Sequence, residues 1–258
     1  MTTTQTNKRA LVTGASEGIG RAFARQLAAQ GYRITAVARN QDRLRELVAE
    51  LGGTGHDFHD FIVADLAEAR DVDRVAQAVQ SGAYDLLINN AGFGVKGRFE
   101  DIALAEVKSM TAVNIDALVE LSHAYLKTAR PGDALMHVSS FLSFIPVADL
   151  NVYCATKAFV TSFSEALWYQ QKNRDVFVMA LCPGATITNF DARSGADYGK
   201  IPKPMLQTAD QVVQYALRNL KKRRKPTVIS GALNRFMGAI HRLRTRKGAV
   251  KTMSGMDF

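Results

Sequence analysis

Lys8-Arg9-Ala10-Leu11-Val12-Thr13-Gly14-Ala15-Ser16-Glu17-Gly18-Ile19-Gly20 is the stretch that decides the fold. Ala10 to Val12 form a short apolar run with a charged entry, as a buried strand requires. Three glycines follow. Arg21 to Gln30 then carries Ala22, Phe23, Leu27 and Ala28 at helical spacing, and Gly31 closes the pattern. Strand, glycine-rich turn and helix together are the setting a dinucleotide fingerprint needs. Gly14 permits the tight turn, Gly18 lets backbone approach a pyrophosphate, and Gly20 lets the helix pack close to the strand. The unpaired N–H groups at the helix start then face the phosphates. The spacing is Gly-x-x-x-Gly-x-Gly rather than Gly-x-Gly-x-x-Gly, so the setting carries more weight than the motif.

Tyr32 to Ala38 reads as the second strand and ends at Arg39-Asn40. At this place an acidic residue binds the ribose 2′-hydroxyl of NAD, whereas an arginine accommodates the 2′-phosphate of NADP. No carboxylate occurs before Asp42, so NADP(H) is expected. The plainer alternative is that Arg39 only bridges to the following helix. Glu17 is discordant, because its charge does not help to hold a phosphate.

The rest of the chain alternates in the same way. A helix is expected over 41–51, a strand over 57–64, a helix over 68–80 and a strand over 85–88. Asp65 has two readings, an acceptor for an adenine amino group and an N-cap for the helix after it. Asn89-Asn90-Ala91-Gly92 suits a strand end beside a bound ligand. Residues 104–129 predict one long helix, in which Asn114, a poor helix former, reads either as a tolerated polar residue with a bonded amide or as a local kink that holds a water. Strand 133–138, helix 152–172 and strand 175–181 follow, then a turn at Pro183-Gly184. Residues 189–207 show little periodicity and are expected to form a mobile lid. Helix 208–220 and strand 226–229 complete the alternation. The pattern predicts an α/β fold, a doubly wound parallel sheet of Rossmann type in a single domain over 8–230. A flexible N-terminus, 1–7, precedes it, and a basic amphipathic tail, 231–258, follows it.

The chemistry is expected between Ser139 and Lys157. Tyr153 and Lys157 are i and i+4, so on a helix they share one face. An ammonium beside a phenol favours the phenolate, lowering the tyrosine pKa from its reference of roughly 10 and fitting it for proton transfer. Ser140, at the end of a strand, is placed to hold a carbonyl oxygen beside that phenol. A Tyr-x-x-x-Lys pair alone is more often a solvated helix face, and its context gives it meaning.

Composition narrows the class. The two cysteines, Cys154 and Cys182, have no paired spacing, which argues against a disulfide framework or a structural zinc site. Cys154 reads as a packing residue rather than a redox group. His56 and His59 lack a third ligand type nearby, so no metal is expected, and His137 reads as core. The polar start of the chain does not resemble a signal peptide and no apolar run reaches spanning length, so a cytoplasmic location is expected. The net charge of +9 is uneven: residues 221–258 hold 11 Lys/Arg and one acidic residue, Asp257, while the other 220 hold 22 basic and 23 acidic residues. That surplus suits an anionic surface or a solvated tail. Nucleic-acid binding is not expected. Peripheral membrane contact through the tail is the partner it suits.

Thr13-Gly14-x-x-x-Gly18-x-Gly20, Asp65, Asn89-Asn90-Ala91-Gly92, Asn114, Ser140, Tyr153-x-x-x-Lys157 and Pro183-Gly184 occur in this order over residues 8–230. In this the chain resembles the short-chain dehydrogenase/reductase family in its standard-length form. The most similar subgroup contains DltE-type and 3-oxoacyl or 17β-hydroxysteroid reductases. The resemblance implies an NADP(H)-dependent oxidoreductase that interconverts a carbonyl and an alcohol. It makes Tyr153 the general acid/base, Lys157 its partner and a ribose ligand, Ser140 the orienter of the carbonyl, and Asn114 the support for a proton-relaying water. It implies cofactor contacts at Gly14, Ser16, Glu17, Gly18, Ile19, Gly20, Arg39, Asp65, Leu66, Asn89, Ala91, Gly92, Tyr153, Lys157, Pro183, Gly184 and Thr188. The substrate is expected to be an apolar ketone, acyl or steroid-like compound, with Phe93, Phe141, Phe144 and Tyr198 near the pocket mouth. A homodimer or homotetramer through helices 104–129 and 152–172 is also implied. The alternative is a non-catalytic NADP-binding regulatory or membrane-surface protein.

Overall fold

The computed structural model describes residues 8–52, 59–188, 203–242, 245, 247–248 and 250–251. The expected flexible N-terminus, His56, Tyr198 and most of the expected lid lie outside the described residues. Seven strands form one parallel sheet: β1 (Arg9–Thr13), β2 (Arg33–Ala38), β3 (Asp60–Val63), β4 (Leu86–Asn89), β5 (Ala134–Val138), β6 (Phe177–Cys182) and β9 (Thr227–Ile229). Their order is β3-β2-β1-β4-β5-β6-β9. β7 (Thr186–Ile187) and β8 (Gln207–Thr208) form a separate parallel pair. The helices are α1 (Gly18–Ala28), α2 (Gln41–Leu51), α3 (Ala69–Ser81), α4 (Leu104–Thr111), α5 (Ala117–Thr128), α6 (Asn151–Gln170), α7 (Ala209–Lys222) and α8 (Ala232–Arg242).

Successive strand residues point to opposite faces of a sheet, and two apolar layers follow from that alternation. Ala10, Val12, Met136 and Met179 pack with Phe23 and Leu27 of α1, Leu44 and Leu47 of α2, and Val212 and Val213 of α7. Leu11, Leu135 and Val178 pack on the other face with Val72 and Val75 of α3, Leu121 and Tyr125 of α5, and Leu167 of α6. Each fully buried aliphatic side chain contributes about 1.5–3 kcal/mol to holding the layers together. The strands are therefore apolar throughout, as strands covered on both faces must be. This is the expected single-domain, doubly wound arrangement. The strand order reverses between β1 and β4, and in such sheets the crevice beyond the carboxyl ends at the reversal is the ligand site.

The structure departs from the sequence reading in four places. The helix expected over 104–129 is interrupted: α4 and α5 are joined by a π-helical turn, Ala112–Asp116, centred on Asn114. The side-chain amide of Asn114 bonds both the N–H and the carbonyl of Phe93, and that non-local pull accompanies the wider turn. Asp65 does not cap α3. Glu68 occupies the cap position, and Asp65 instead accepts from the N–H of Ala67 at 3.0 Å. The β7–β8 pair is too short to register as periodicity. The segment expected as a basic amphipathic tail is helical over α8, in keeping with its spacing, but its inner face is packed rather than free: Asn234 is 1 % exposed, and Met237 lies against the cluster around Phe141.

Candidate active site

A cavity of about 650 Å³ opens at the carboxyl ends of β1, β2, β4, β5 and β6. Its first wall is the turn after β1. Gly14 has φ +66° and Gly18 has φ +55°, which side chains other than glycine rarely adopt. A Cβ on Gly20 would stand 2.2 Å from the carbonyl oxygen of Gly14, so only glycine lets α1 begin this close to β1. Thr13 fastens the turn across the strand reversal, its Oγ1 accepting from the N–H groups of Asn90 at 2.9 Å and Ala91 at 3.0 Å. The amide of Asn90 donates to the Thr13 carbonyl at 2.9 Å. A cradle of bare backbone at the start of a helix fits the pyrophosphate of a dinucleotide.

Arg39 leaves the end of β2 and lines the cavity, with Nη1 3.6 Å from Oδ2 of Asp65. Glu17, the discordant residue, forms an ion pair with Arg43 on the first turn of α2. Its charge is thus partly neutralised locally, and two guanidinium groups stand at this end of the crevice. Arg43 is in place because Asn40 caps α2, its Oδ1 accepting from the Arg43 N–H at 2.9 Å.

At the other end, α6 presents Tyr153 and Lys157 to the cavity. Tyr153 is 7 % exposed and Lys157 4 %. The Lys157 ammonium is 5.8 Å from the centroid of the Tyr153 ring and donates to the carbonyl of Val138 at 2.9 Å. Burial pulls its pKa down from the ordinary lysine value to about 8. Ser140 lines the same wall and accepts from the N–H of Leu142 at 3.1 Å, starting the 3-10 turn Phe141–Phe144. Ser139 also borders the cavity, but its Oγ is engaged with α6, donating to the Lys157 carbonyl at 2.8 Å. Gly92 sits where these groups converge: a Cβ there would come within 2.9 Å of Asn114 Oδ1 and 3.1 Å of Lys157 Nζ.

The cavity wall holds Gly14, Ser16, Glu17, Gly18, Ile19, Arg39, Asp65, Leu66, Ala91, Gly92, Ser140, Tyr153, Lys157, Pro183, Gly184 and Thr188. Three expected residues are not on it. Gly20 lies behind the turn. Asn89 is buried and its amide faces the opposite way, donating to Ser122 Oγ at 3.1 Å; its neighbour Asn90 lines the cavity instead. Alternation carried one residue past the end of β4 accounts for this, since adjacent side chains of extended backbone take opposite faces. Asn114 stands one step behind the wall, its Nδ2 donating to Thr156 Oγ1 at 3.1 Å.

Phe93 and Phe141 line the apolar end, joined by Val113, Leu142, Val147, Leu150, Met205 and Asn234. Phe144 packs behind them. Asn234 arrives from α8, its Nδ2 donating to the Ser230 carbonyl at 3.0 Å and resting against Gly184. No sequence signal marked it.

The remaining candidates for chemistry are internal. Burial raises the pKa of Cys154, and that of Cys182 to about 11, so neither is a ready thiolate. His137 is held between Ser122 and Ser164, and burial lowers its pKa to about 3, so it is neutral. His59 Nδ1 accepts from the N–H of Ile34 at 3.0 Å. Among the described residues no group of three or more potential ligands could hold a metal ion, and no helix is long and apolar enough to cross a membrane.

Residues 8–199 match the family model described as short chain dehydrogenase. The probable oxidoreductase EphD of Mycobacterium tuberculosis is 31 % identical over 189 residues, covering 71 % of this chain and 32 % of EphD. The chain thus spans about a third of the length of that relative. An uncharacterized oxidoreductase of Staphylococcus epidermidis is 31 % identical over 81 % of this chain and 90 % of its own. Among solved structures, a short-chain dehydrogenase from Sphingobium yanoikuyae in complex with NADPH is 29 % identical, covers 92 % of this chain and 94 % of its own, and superposes with a TM-score of 0.80. The bulky-bulky ketone specific alcohol dehydrogenase from Comamonas testosteroni is 26 % identical over 92 % of this chain and 94 % of its own, with a TM-score of 0.76.

Proposed function

The chain belongs to the short chain dehydrogenase family, and from that premise we propose that it is an NADP(H)-dependent oxidoreductase interconverting an apolar ketone and its alcohol. The observation that carries this reading is the placement of Tyr153, Lys157 and Ser140 on one wall of a cavity whose other end is the glycine turn. A nicotinamide cofactor is the group these residues fit. The bare backbone at Gly14 and Gly18 would hold its pyrophosphate, and Arg39 with Arg43 would meet a 2′-phosphate. Pro183, Gly184 and Thr188 would line its nicotinamide end. When bound, it supplies or accepts the hydride.

The chain's own residues manage the proton. In reduction, Tyr153 gives its phenolic proton to the carbonyl oxygen, and Ser140 donates a hydrogen bond that orients that oxygen. The Lys157 ammonium favours the phenolate left behind. Asn114 fixes the backbone of Phe93 beside Gly92 and so keeps the space around Lys157 open. Phe93, Leu142, Val147 and Leu150 give the substrate end an apolar lining, which excludes water and selects a ketone of moderate to large bulk. The Comamonas enzyme's preference for bulky ketones supports the same substrate class. The alternative of a non-catalytic NADP-binding protein is disfavoured because Ser140, Tyr153 and Lys157 are all present and all face the cavity. The outward side of α6, where Phe159 is 40 % and Tyr169 73 % exposed, supports pairing with a second copy.

Replacing Tyr153 by Phe removes one hydroxyl from a well-packed site. Turnover of NADPH with a panel of bulky ketones is expected to fall by about 10²–10⁴-fold, the usual range for loss of a general acid, while NADPH affinity stays within about twofold. Undiminished turnover in Tyr153→Phe would refute the assignment.

A further inference from the structure

On the far side of α8 from the reaction cavity, a second cleft of about 670 Å³ lies between α7 and α8. Its charged side chains are Arg218, Lys222 and Arg235, and no carboxylate lines it. Among the described residues none of the three has an acidic partner, whereas Arg223, next to Lys222, pairs with Asp175 at 3.4 Å. Two of the cations are placed by neutral groups instead. Arg218 Nε donates to the Gln214 carbonyl at 3.3 Å, and the Arg235 guanidinium lies 5.3 Å from the centroid of the Tyr215 ring. Three cations held in one cleft without counter-charge create a local positive potential.

Helical spacing divides α8 into three stripes. Ala232 and Arg235 border this cleft. One residue further round, Leu233 and Phe236 stand in solvent, 37 % and 62 % exposed. One further again, Asn234 and Met237 face the core and the reaction cavity. The apolar prongs are therefore neighbours of the cationic cleft. The surrounding sequence has the same sign, with 11 Lys/Arg and no Asp or Glu between Lys221 and Met256.

We propose that this face docks on an anionic lipid surface: the α7–α8 cleft takes a lipid phosphate while Leu233 and Phe236 enter the boundary between headgroups and acyl chains. Exposed apolar side chains beside uncompensated cations are what such a surface complements, one by burial and the other by charge. Nucleic acid is a poorer occupant, because the one aromatic ring in the cleft, Tyr215, is already covered by Arg235 and offers no stacking platform.

The test is co-sedimentation of the full chain with phosphatidylcholine vesicles, with and without phosphatidylglycerol. Wild type is expected to sediment only with the anionic vesicles, and less as salt is raised. The triple variant Arg218→Gln/Lys222→Gln/Arg235→Gln should lose about fivefold per cation, roughly 100-fold in all, as expected for basic residues at an anionic leaflet. The double variant Leu233→Ser/Phe236→Ser changes only exposed groups and should lose more than about tenfold. Tyr153→Phe should sediment like wild type, which separates this result from the fate of the catalytic reading. No preference for anionic vesicles overturns the proposal, and so does sedimentation that both surface variants retain. If glycerol 3-phosphate raises the melting temperature of wild type but not of the triple variant while vesicles are ignored, the cleft belongs to a soluble phosphate ester and the lipid surface is refuted.

Discussion

The two ends of the crevice are made of different material. The dinucleotide end is backbone: a left-handed turn at Gly14 and Gly18, a helix start at Gly18, and strand ends fastened through Thr13 to Asn90 and Ala91. The end beside Tyr153 and Ser140 is side chain. Phe93, Val113, Leu142, Val147, Leu150, Met205 and Asn234 converge on it from well-separated parts of the chain. Backbone cradles tolerate little variation and suit one ligand. A wall of apolar side chains can change volume residue by residue without disturbing the sheet, and such a wall sets substrate range.

The two halves meet at Lys157, and the largest effect is expected there. Lys157→Met keeps the length of the side chain and removes its charge. If Tyr153 acts as proposed, turnover should fall by about 10²–10⁴-fold, because the phenolate would lose its cation. The pH dependence of the wild type tests the same joint. Burial lowers the Lys157 pKa to about 8, so the ammonium is present below that pH and lost as pH rises through it. Because kcat/KM reports groups of the free enzyme, kcat/KM for ketone reduction should decline above about pH 8, and Lys157→Met should lack that limb. A flat profile through pH 8 would mean that the amine does not act on the phenol.

The contrast between the halves also explains what could be read in the sequence. Alternating apolar strands and helices identify the doubly wound sheet, and Gly14, Gly18 and Gly20 reveal the cradle because a missing side chain is itself a signal. Tyr153 and Lys157 show as a pair because helical spacing is local. Asn234 gives no such signal. It is a single amide some fifty residues beyond Pro183-Gly184, and it reaches Gly184 only because β9 inserts beside β6 and α8 folds back. At Asn114 a kink is among the readings its residue type offers, but the π-helical form of the turn is not legible, since the carbonyl and N–H that accompany it belong to Phe93. Asn89, the last residue of β4, and Asn90, just beyond it, differ in the side to which each side chain turns, which the motif does not reveal.

A smaller effect is expected at the ribose. Arg39→Gln should weaken NADPH by about 10–100-fold, the worth of a charge-assisted hydrogen bond, and leave NADH nearly unchanged. The ratio of kcat/KM for the two cofactors checks it. Equal losses for both would place Arg39 in the architecture of β2 rather than in cofactor choice, and would move cofactor selection out of the backbone-built half.

The smallest effect is the most discriminating, because it asks whether Glu17 belongs to the cradle or to its control. Glu17 pairs with Arg43, and Arg39 stands 3.6 Å from Asp65, so each cation at this end already has an anion beside it. A 2′-phosphate must therefore compete for both. Glu17→Gln removes one competitor and keeps the side-chain shape. If Arg43 then turns to the phosphate, NADPH affinity rises by about two- to fivefold, the scale of a partly exposed ion pair, and NADH affinity does not move. If the pair instead fixes the glycine turn to α2, both cofactors weaken together, because the pyrophosphate cradle itself has loosened. Titrating both cofactors against the one variant separates these outcomes. Only the first gives this half a side-chain device for choosing its ligand, like the one that lines the other half.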